Sequence, residues 1–385
     1  MSNLYFDNAA TSFPKPEVVA TEMLKAAQSY AVNAGRGSYA SARLAKEKID
    51  LCRMQLIDLA ELAGSHNLIF SPSATIAMNQ IVFGLEINKF TNIYISPFDH
   101  NAAIRPITEV CRRNDIQFEL LPFDKNLKFD YEKCEKNFKS KKPDFVFCSH
   151  VSNVTGLVLP LKEISELAKK YGAKLIIDSA QGLGSINYNY QDCSPDFLVF
   201  AGHKSLYGPF GIGGFMMKKG LKLGQYIFGG TGTDSLNLSM PSTGNEQYEA
   251  GSENILGIAG LFSALDWINN EGIEKIEEKE RALSNMLIDR LRQIEGVRLY
   301  LPIDLLSHKG IVSFNIDGYK CDEVGMILDL DYGISVRTGY HCAALVHDLI
   351  GSKEFNGTVR ASVGYFNNED DIEYFVSAIA KLAEE

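Results

Sequence analysis

The segment FAGHKSLYGPFGIGGFMM, residues 200–217, governs the interpretation of the whole chain. Its lysine, Lys204, separates an apolar run that ends at Phe200 from a turn rich in glycine and proline. Most lysines are solvated surface cations. A lysine at the end of a buried strand is instead desolvated, which lowers its pKa and lets it form a Schiff base with a carbonyl. The apolar neighbours Leu206 and Tyr207 favour this second interpretation.

A carboxylate occupies a similar position earlier in the chain. In LIIDSAQ, residues 175–181, Asp178 follows an apolar run that predicts another buried strand. Pyridoxal phosphate requires both groups, a lysine for its aldehyde and an acidic partner that keeps its pyridine nitrogen protonated. Together, Lys204 and Asp178 predict a pyridoxal-phosphate site.

The composition limits the class of protein and the kind of partner. The 385 residues exceed one ordinary domain, and their apolar content is ample for a core. A net charge of −10 argues against nucleic acid or an anionic membrane surface as a partner. No apolar run is long enough to span a membrane, and the first residues lack a secretory signal pattern. We therefore expect a cytoplasmic protein.

The seven cysteines do not indicate a disulfide framework or a metal site. Their number is odd and none forms a CxxC pair, so no metal is predicted and most are expected to be buried. Cys342 is the exception of interest, because it lies in a glycine-bearing loop with Arg337 and His341 nearby. These two side chains would lower the pKa of the thiol.

Short apolar runs alternate with segments of helical spacing through the middle of the chain. The runs NLIF, NIYIS, QFELL, DFVFCS and AKLIID predict strands, and the segments between them predict helices. This alternation predicts a largely parallel sheet with helices on both faces, and ligands bind at the C-terminal strand ends of such sheets. Towards the C-terminus we expect one long helical stretch over 255–292, strands at GIVSFNI and ISVR, and a smaller α+β unit.

Polar residues follow several of these predicted strands. Ser73, Ala74 and Thr75 open a helix whose free N–H groups would bind an anion, although Ser and Thr are also ordinary helix caps. His100 would stack on a flat cofactor and move protons, or cap the next helix. Asn153 offers amide donors to an anionic group, or simply forms a turn.

Two further residues have equally open interpretations. His203, next to the lysine, would hold a phosphate or be a structural neighbour. Arg36, in a glycine-rich loop, is a candidate for binding an anionic substrate group, although such an arginine more commonly faces water.

A series of motifs extends over nearly the whole chain, from residue 6 to beyond 360. They are DNAAT, SATxxxN, a DH pair, HxSNxTG, DSAQ, GHK followed by YGPFGIGG, YEAGS and VRTGYHCA. In composition and order this series resembles the class V aminotransferase family, in particular its cysteine desulfurase and selenocysteine lyase branch. The resemblance implies fold type I of the pyridoxal-phosphate enzymes, with a mainly parallel seven-stranded sheet in a large domain over 17–254. A smaller α+β domain would comprise 1–16 and 255–385.

The resemblance also implies roles around the cofactor. Lys204 would form the Schiff base, Asp178 would pair with the pyridine nitrogen, Gln181 would donate to the ring hydroxyl, and His100 would stack on the ring. The phosphate would be held by a set of residues of which the last comes from a second subunit, implying a homodimer: Ser73, Ala74, Thr75, His203 and Ser252.

On the substrate side, the resemblance implies that Asn153 and Arg360 bind the carboxylate of L-cysteine. Cys342 would take the sulfur as a persulfide, alanine would be released, and a sulfur-acceptor protein would be a possible partner. The sequence departs from the family's usual pattern at four positions, with Ala201 for a serine, Ile76 for a glutamate, Ser252 for a threonine and Tyr340 for a histidine. The first of these would weaken the hold on the phosphate slightly.

Three alternatives share these residues. A selenocysteine lyase would act on selenocysteine without needing Cys342, and another class V aminotransferase or lyase would act on a different amino acid. A sulfur-relay protein would instead dock an acceptor through the polar loop over 229–252 and would be active mainly in that complex.

Overall fold

The chain forms three β-sheets in a computed structural model that describes residues 4–34, 37, 39–232 and 236–384. The strands of these sheets are β1 (Leu4–Tyr5), β2 (His66–Ser71), β3 (Ile93–Ile95), β4 (Glu119–Leu120), β5 (Phe145–Ser149), β6 (Lys174–Asp178), β7 (Phe197–Ala201), β8 (Gly213–Lys218), β9 (Val297–Leu299), β10 (Ile311–Ile316), β11 (Ile334–Ser335), β12 (Arg337–Gly339) and β13 (Thr358–Ser362).

Helices connect the strands and cover both faces of the largest sheet. They are α1 (Glu17–Ser29), α2 (Ala40–Leu59), α3 (Ala74–Gly84), α4 (Asn101–Asn114), α5 (Tyr131–Ser140), α6 (Leu161–Tyr171), α7 (Ile255–Glu271), α8 (Ile273–Leu291), α9 (Cys321–Tyr332), α10 (Val346–Leu349) and α11 (Glu369–Glu384).

The largest sheet has seven strands in the order β2-β8-β7-β6-β5-β3-β4. Only β8 runs against its neighbours, so the other six strands point the same way. Alternate residues of β7 enter different cores, Leu198 and Phe200 on one face, Phe197 and Val199 on the other. Burial of both faces explains why the strands read as continuous apolar runs. The predicted mainly parallel, helix-covered sheet is confirmed.

The C-terminal part contains a four-stranded antiparallel sheet in the order β12-β13-β10-β9. The N-terminal arm joins this part, because β1 pairs with β11 and Phe6 is buried in the same core as β10 and β13. Helix α7 instead shares a core with α1, where Ile258 and Leu261 are buried with Val19. The division into 17–254 and the remainder stays a prediction.

Some local expectations are wrong. The helical stretch over 255–292 is two helices, because Gly272 breaks it with a positive φ of 85°. The run ISVR is split between β11 and β12, which pair with different sheets. Helix α5 and strand β9 were not expected. Helix α5 buries only Cys134 and Phe138 among charged neighbours, which leaves a weak apolar pattern.

Candidate active site

A pocket of about 200 Å³ lies where the parallel strands of the large sheet end. Because six strands point the same way, the residues that follow β2, β3, β5, β6 and β7 meet at this edge. The pocket walls include most of the predicted site residues: Ser73, Ala74, Thr75, His100, Asn153, Asp178, His203, Lys204, Cys342 and Arg360. Arg337 and His341 complete one side of it.

Lys204 and Asp178 face this pocket from neighbouring strands. Asp178 ends β6 and lies opposite Val199 of β7, and Lys204 follows that strand. Asp178 is buried, and one carboxylate oxygen accepts a hydrogen bond of 3.0 Å from the backbone N–H of Ala180. Lys204 is half-buried with its side chain at the pocket wall. Burial lowers the pKa of Lys204, and the Asp178 carboxylate only partly opposes this shift.

The N-terminal arm holds the segment that carries the lysine. Thr11 Oγ1 and Lys15 Nζ donate hydrogen bonds of 2.8 and 2.6 Å to the carbonyl oxygen of His203. Ser12 Oγ donates one of 3.0 Å to the carbonyl oxygen of Lys204. Burial lowers the pKa of Lys15 to about 7. These anchors were not predicted, because they join segments far apart in the sequence.

The other end of the pocket suits a phosphate group. Helix α3 begins there. Ser73 Oγ caps it by accepting a hydrogen bond of 3.2 Å from the N–H of Ile76, and the N–H groups of Ala74 and Thr75 have no partner within the helix. Gly213 permits this approach, because a Cβ on it would lie only 3.0 Å from the nitrogen of Ala74. His203 adds a buried Nδ1 that has no hydrogen-bond partner among the described residues. Burial lowers the pKa of His203 to about 4, so the ring is neutral at physiological pH.

His100 both lines the pocket and caps a helix. Its Nδ1 accepts a hydrogen bond of 3.0 Å from the backbone N–H of Ala102 in the first turn of α4. Burial and the nearby charge of Lys204 lower the pKa of His100 to about 3. In the neutral ring only one nitrogen carries a proton, so an accepting Nδ1 leaves that proton on Nε2. His100 is therefore a donor, and not an acceptor, at its second nitrogen.

Arg360 is the buried cation of the site, with 2% of its surface exposed. Its Nη2 donates to Asp7 Oδ1 at 2.7 Å, and its Nη1 donates to the carbonyl oxygen of Asn153 at 2.9 Å. Its Nε is a buried donor without a partner in the described part of the chain. A donor left over in this way fits an anionic ligand. Asp7 was not predicted as a site residue, although it belongs to the DNAAT motif.

Cys342 is the exposed cysteine of the chain, and the other six are buried. It lines the same pocket as Lys204. The expectation that His341 supplies positive charge beside this thiol is wrong. Burial lowers the pKa of His341 well below its ordinary value, and Arg360 shifts it in the same direction. Arg337 is the charged neighbour, and its Nη1 lies 3.9 Å from Asp7 Oδ2.

Two of the predicted residues in the described part of the chain do not line the pocket. Gln181 uses its amide nitrogen for a bond of 2.7 Å to the carbonyl oxygen of Ala9, and it lines a separate cavity of about 30 Å³. Ser252 is exposed in a groove that also contains Gly211. Arg36 lies outside the described residues. The roles of these three residues stay predictions.

The pocket thus combines the groups that pyridoxal phosphate needs. A lysine of lowered pKa and a buried carboxylate face it from adjacent strands, and a helix N-terminus with an unpartnered histidine nitrogen lies beside them. The donor set therefore fits this cofactor. No cluster of metal-binding side chains occurs among the described residues. Fold and site together define an α/β enzyme of the pyridoxal-phosphate class, in which a lysine binds the cofactor aldehyde.

Comparison with known proteins identifies the family. The model of the family described as aminotransferase class-V matches residues 4–375. The chain belongs to this family, and its cofactor is pyridoxal phosphate. The resemblance inferred from the motifs and the fold type I architecture are both confirmed.

Individual relatives match along almost their full length. The chain is 31% identical to a probable cysteine desulfurase of Pyrococcus abyssi, over 98% of this chain and 94% of that protein. It is 32% identical to a probable cysteine desulfurase of Halalkalibacterium halodurans, over 99% and 93% of the two chains. The structure of the cysteine desulfurase from Thermococcus onnurineus NA1 is similar, with a TM-score of 0.91, 30% identity and coverage of 99% and 95%.

Proposed function

We propose that this enzyme is a cysteine desulfurase, which converts L-cysteine to L-alanine and keeps the sulfur as a persulfide on Cys342. The observation that carries the proposal is the meeting of an exposed thiol and a lysine of lowered pKa in one pocket. The similarity to proteins named cysteine desulfurase supports the same substrate.

Substrate binding is assigned to the Arg360 side of the pocket. The unpartnered Nε of Arg360 is available to the substrate carboxylate, and Asp7 and the backbone of Asn153 keep the guanidinium group in place. A buried guanidinium held by two partners loses little freedom on binding. Lys204, Asp178 and the start of α3 would hold the pyridoxal phosphate, which would supply an electron sink for the bonds at the substrate Cα.

Proton transfer at the substrate Cα is assigned to Lys204. Burial lowers the pKa of Lys204, which raises the fraction of neutral amine that can act as a base. His100 is unsuited to this step, because its Nε2 already carries the proton of the neutral ring. It would instead donate a hydrogen bond or a proton from Nε2 into the pocket.

The sulfur transfer step balances without an external oxidant. The thiolate of Cys342 attacks the sulfur of L-cysteine, a sulfur–sulfur bond forms, and the bond between the substrate Cβ and sulfur breaks. The electron pair of the broken bond stays with the substrate carbon skeleton, which takes up protons and leaves as alanine. The net change converts L-cysteine and one thiol into alanine and one persulfide.

Three further statements belong to the proposal. Ser252 is exposed and lines a groove other than the site pocket. This supports the proposal that it binds the phosphate in the site of a second subunit of a homodimer. The exposure of Cys342 supports delivery of sulfur to an acceptor protein. The described part of the chain contains no helix that is long and apolar enough to cross a membrane. A cytoplasmic location stays a prediction.

The test is to incubate the holoenzyme with L-cysteine and to follow alanine and the mass of the Cys342 peptide together. We expect equal amounts of alanine and persulfide in the first turnover, and neither product in Cys342→Ser. Alanine release that persists in Cys342→Ser would refute the persulfide step. Turnover of L-selenocysteine by that variant would indicate a selenocysteine lyase instead.

A further inference from the structure

The loop that carries Cys342 has a strained backbone. It connects β12, which ends at Gly339, to α10, which begins at Val346. Within it, His341 and Cys342 have φ values of 47° and 56°, so two consecutive residues with side chains adopt the left-handed conformation. This conformation is unfavourable for such residues and persists only where surrounding contacts determine it. Some neighbouring groups must therefore hold the loop.

Three successive carbonyl oxygens of the loop accept hydrogen bonds from outside it. The carbonyl of Tyr340 accepts one of 3.1 Å from His347 Nε2, and that of His341 accepts one of 2.7 Å from Asn153 Nδ2. The carbonyl of Cys342 accepts one of 2.7 Å from the backbone N–H of Asn101, the first residue of α4. These contacts come from three different elements and fix the backbone on both sides of the thiol.

His347 has no assigned role in binding the cofactor or the substrate. It is fully buried and does not line the pocket. A carbonyl only accepts, so Nε2 must carry the proton, and Nδ1 then accepts from the Ser352 hydroxyl at 2.7 Å. The rings of Tyr340 and His347 also contact each other, with centroids 5.0 Å apart and planes at 88°. Nε2 and the ring of His347 thus contact the loop directly, and the hydrogen bond at Nδ1 fixes the orientation of the ring.

We propose that His347 is a positioning residue for the Cys342 thiol. Through the carbonyl of Tyr340, it holds the loop in the left-handed conformation that places the thiol at the pocket. The role of the thiol as sulfur acceptor rests on the proposed function, whereas the positioning of the loop by His347 rests on the hydrogen bonds alone. The ordinary alternative is a core histidine that only stabilises α10, and the two differ in what His347 substitutions change.

The first measurement is hydrogen exchange of the loop in the holoenzyme. His347→Phe keeps the buried ring but removes the donor, whereas His347→Gln keeps an N–H near the position of Nε2. We expect amides of residues 340–346 to exchange about tenfold faster in His347→Phe and at close to the wild-type rate in His347→Gln. His66→Phe is the matched control, since His66 is a buried histidine at the start of β2 whose Nε2 donates to the carbonyl oxygen of Pro195 at 2.7 Å and whose Nδ1 accepts from Ser65 Oγ at 2.8 Å.

The second measurement is the steady-state rate of alanine release as a function of L-cysteine concentration, which gives kcat and KM separately. A displaced thiol lowers the rate of the transfer step, so we expect kcat to fall about 10²-fold in His347→Phe with KM unchanged, and to recover in His347→Gln. We expect the control variant to match the wild type in the exchange rates of the loop amides and in kcat.

Several results would overturn the proposal. Unchanged loop exchange in His347→Phe, or faster exchange throughout the molecule, would show that His347 has no specific role in the loop. Failure of His347→Gln to restore the loop would show that the bond to Tyr340 is not the holding contact. If the wild type forms no persulfide, the proposed function fails. The comparison of hydrogen exchange among the variants still shows whether His347 holds the loop.

Discussion

The two reactive segments of this enzyme, one around Lys204 and one around Cys342, are held in the same way but exposed very differently. Each has its carbonyl oxygens bound by groups from distant elements. The N-terminal arm binds those at His203 and Lys204, and Asn153 and His347 bind those before Cys342. Yet Lys204 is half-buried with a lowered pKa, whereas Cys342 is exposed.

The difference corresponds to two chemical tasks. Desolvation lowers the pKa of an amine and raises the fraction of neutral base, so the enclosure of Lys204 suits its proposed role. A thiol that passes sulfur to another molecule must be reachable from outside, so Cys342 benefits from exposure. Similar backbone anchoring therefore serves two opposite requirements for solvent access.

The largest effect is expected at the enclosed segment. Lys204→Ala removes the amine that is proposed both to bind the cofactor aldehyde and to act as the base, so alanine release should fall on the order of 10²–10⁴-fold. The visible absorbance of the bound cofactor should change as well. Lys46→Ala, at a lysine whose side chain is 66% exposed, is the control and should behave like the wild type. A Lys204→Ala protein with normal activity would remove one side of the comparison.

A smaller effect is expected where the N-terminal arm meets the substrate side. Asp7→Asn leaves the charge of Arg360 buried without its partner, and breaking such a pair costs about 3 kcal/mol of the free energy of unfolding. Urea denaturation measures this loss. Glu373→Gln breaks the exposed pair with Arg290, which has side chains 49% and 48% exposed, and should cost less than about 1 kcal/mol. Equal losses in both variants would mean that the arm does not support the site.

The smallest effect is a pH dependence from the anchor of the lysine segment. Burial lowers the pKa of Lys15 to about 7 from an ordinary value of 10.5. Between these values the unfolded chain binds a proton that the folded chain does not, so stability should rise with pH. From pH 7 to pH 9 the gain is about 2 kcal/mol, since one pKa unit corresponds to 1.36 kcal/mol.

Comparison of Lys15→Met with the wild type isolates this contribution. The variant has no titrating group at this position. Between pH 7 and pH 9 its free energy of unfolding should therefore rise by about 2 kcal/mol less than that of the wild type. Parallel pH profiles for the two proteins would show that Lys15 is not desolvated beside His203.

The sequence predicted the parts of the site that follow strands. Lys204, Asp178 and His100 lie at the ends of apolar runs, and the rule that parallel strands share one C-terminal edge brought them together. Gly272 and the splitting of ISVR were missed because they depend on a backbone angle and on pairing with distant strands.

The groups that hold these residues could not be read from local pattern. Asp7 and Arg360 are separated by 353 positions, and Ser12 and Lys15 bond to residues that are 192 and 188 positions away. His347 has no neighbouring pattern that distinguishes it from a core histidine. Their roles follow only from three-dimensional contacts, whereas the strand-end residues follow from periodicity.

A single peptide map of the native holoenzyme tests the contrast between the two segments most directly. Borohydride fixes the cofactor to the amine that holds it, and brief treatment with iodoacetamide marks accessible thiols. We predict that the cofactor is found on Lys204 and the alkyl group on Cys342, with the six buried cysteines unmodified. Cofactor on another lysine, or equal labelling of buried cysteines and Cys342, would contradict this description of the site.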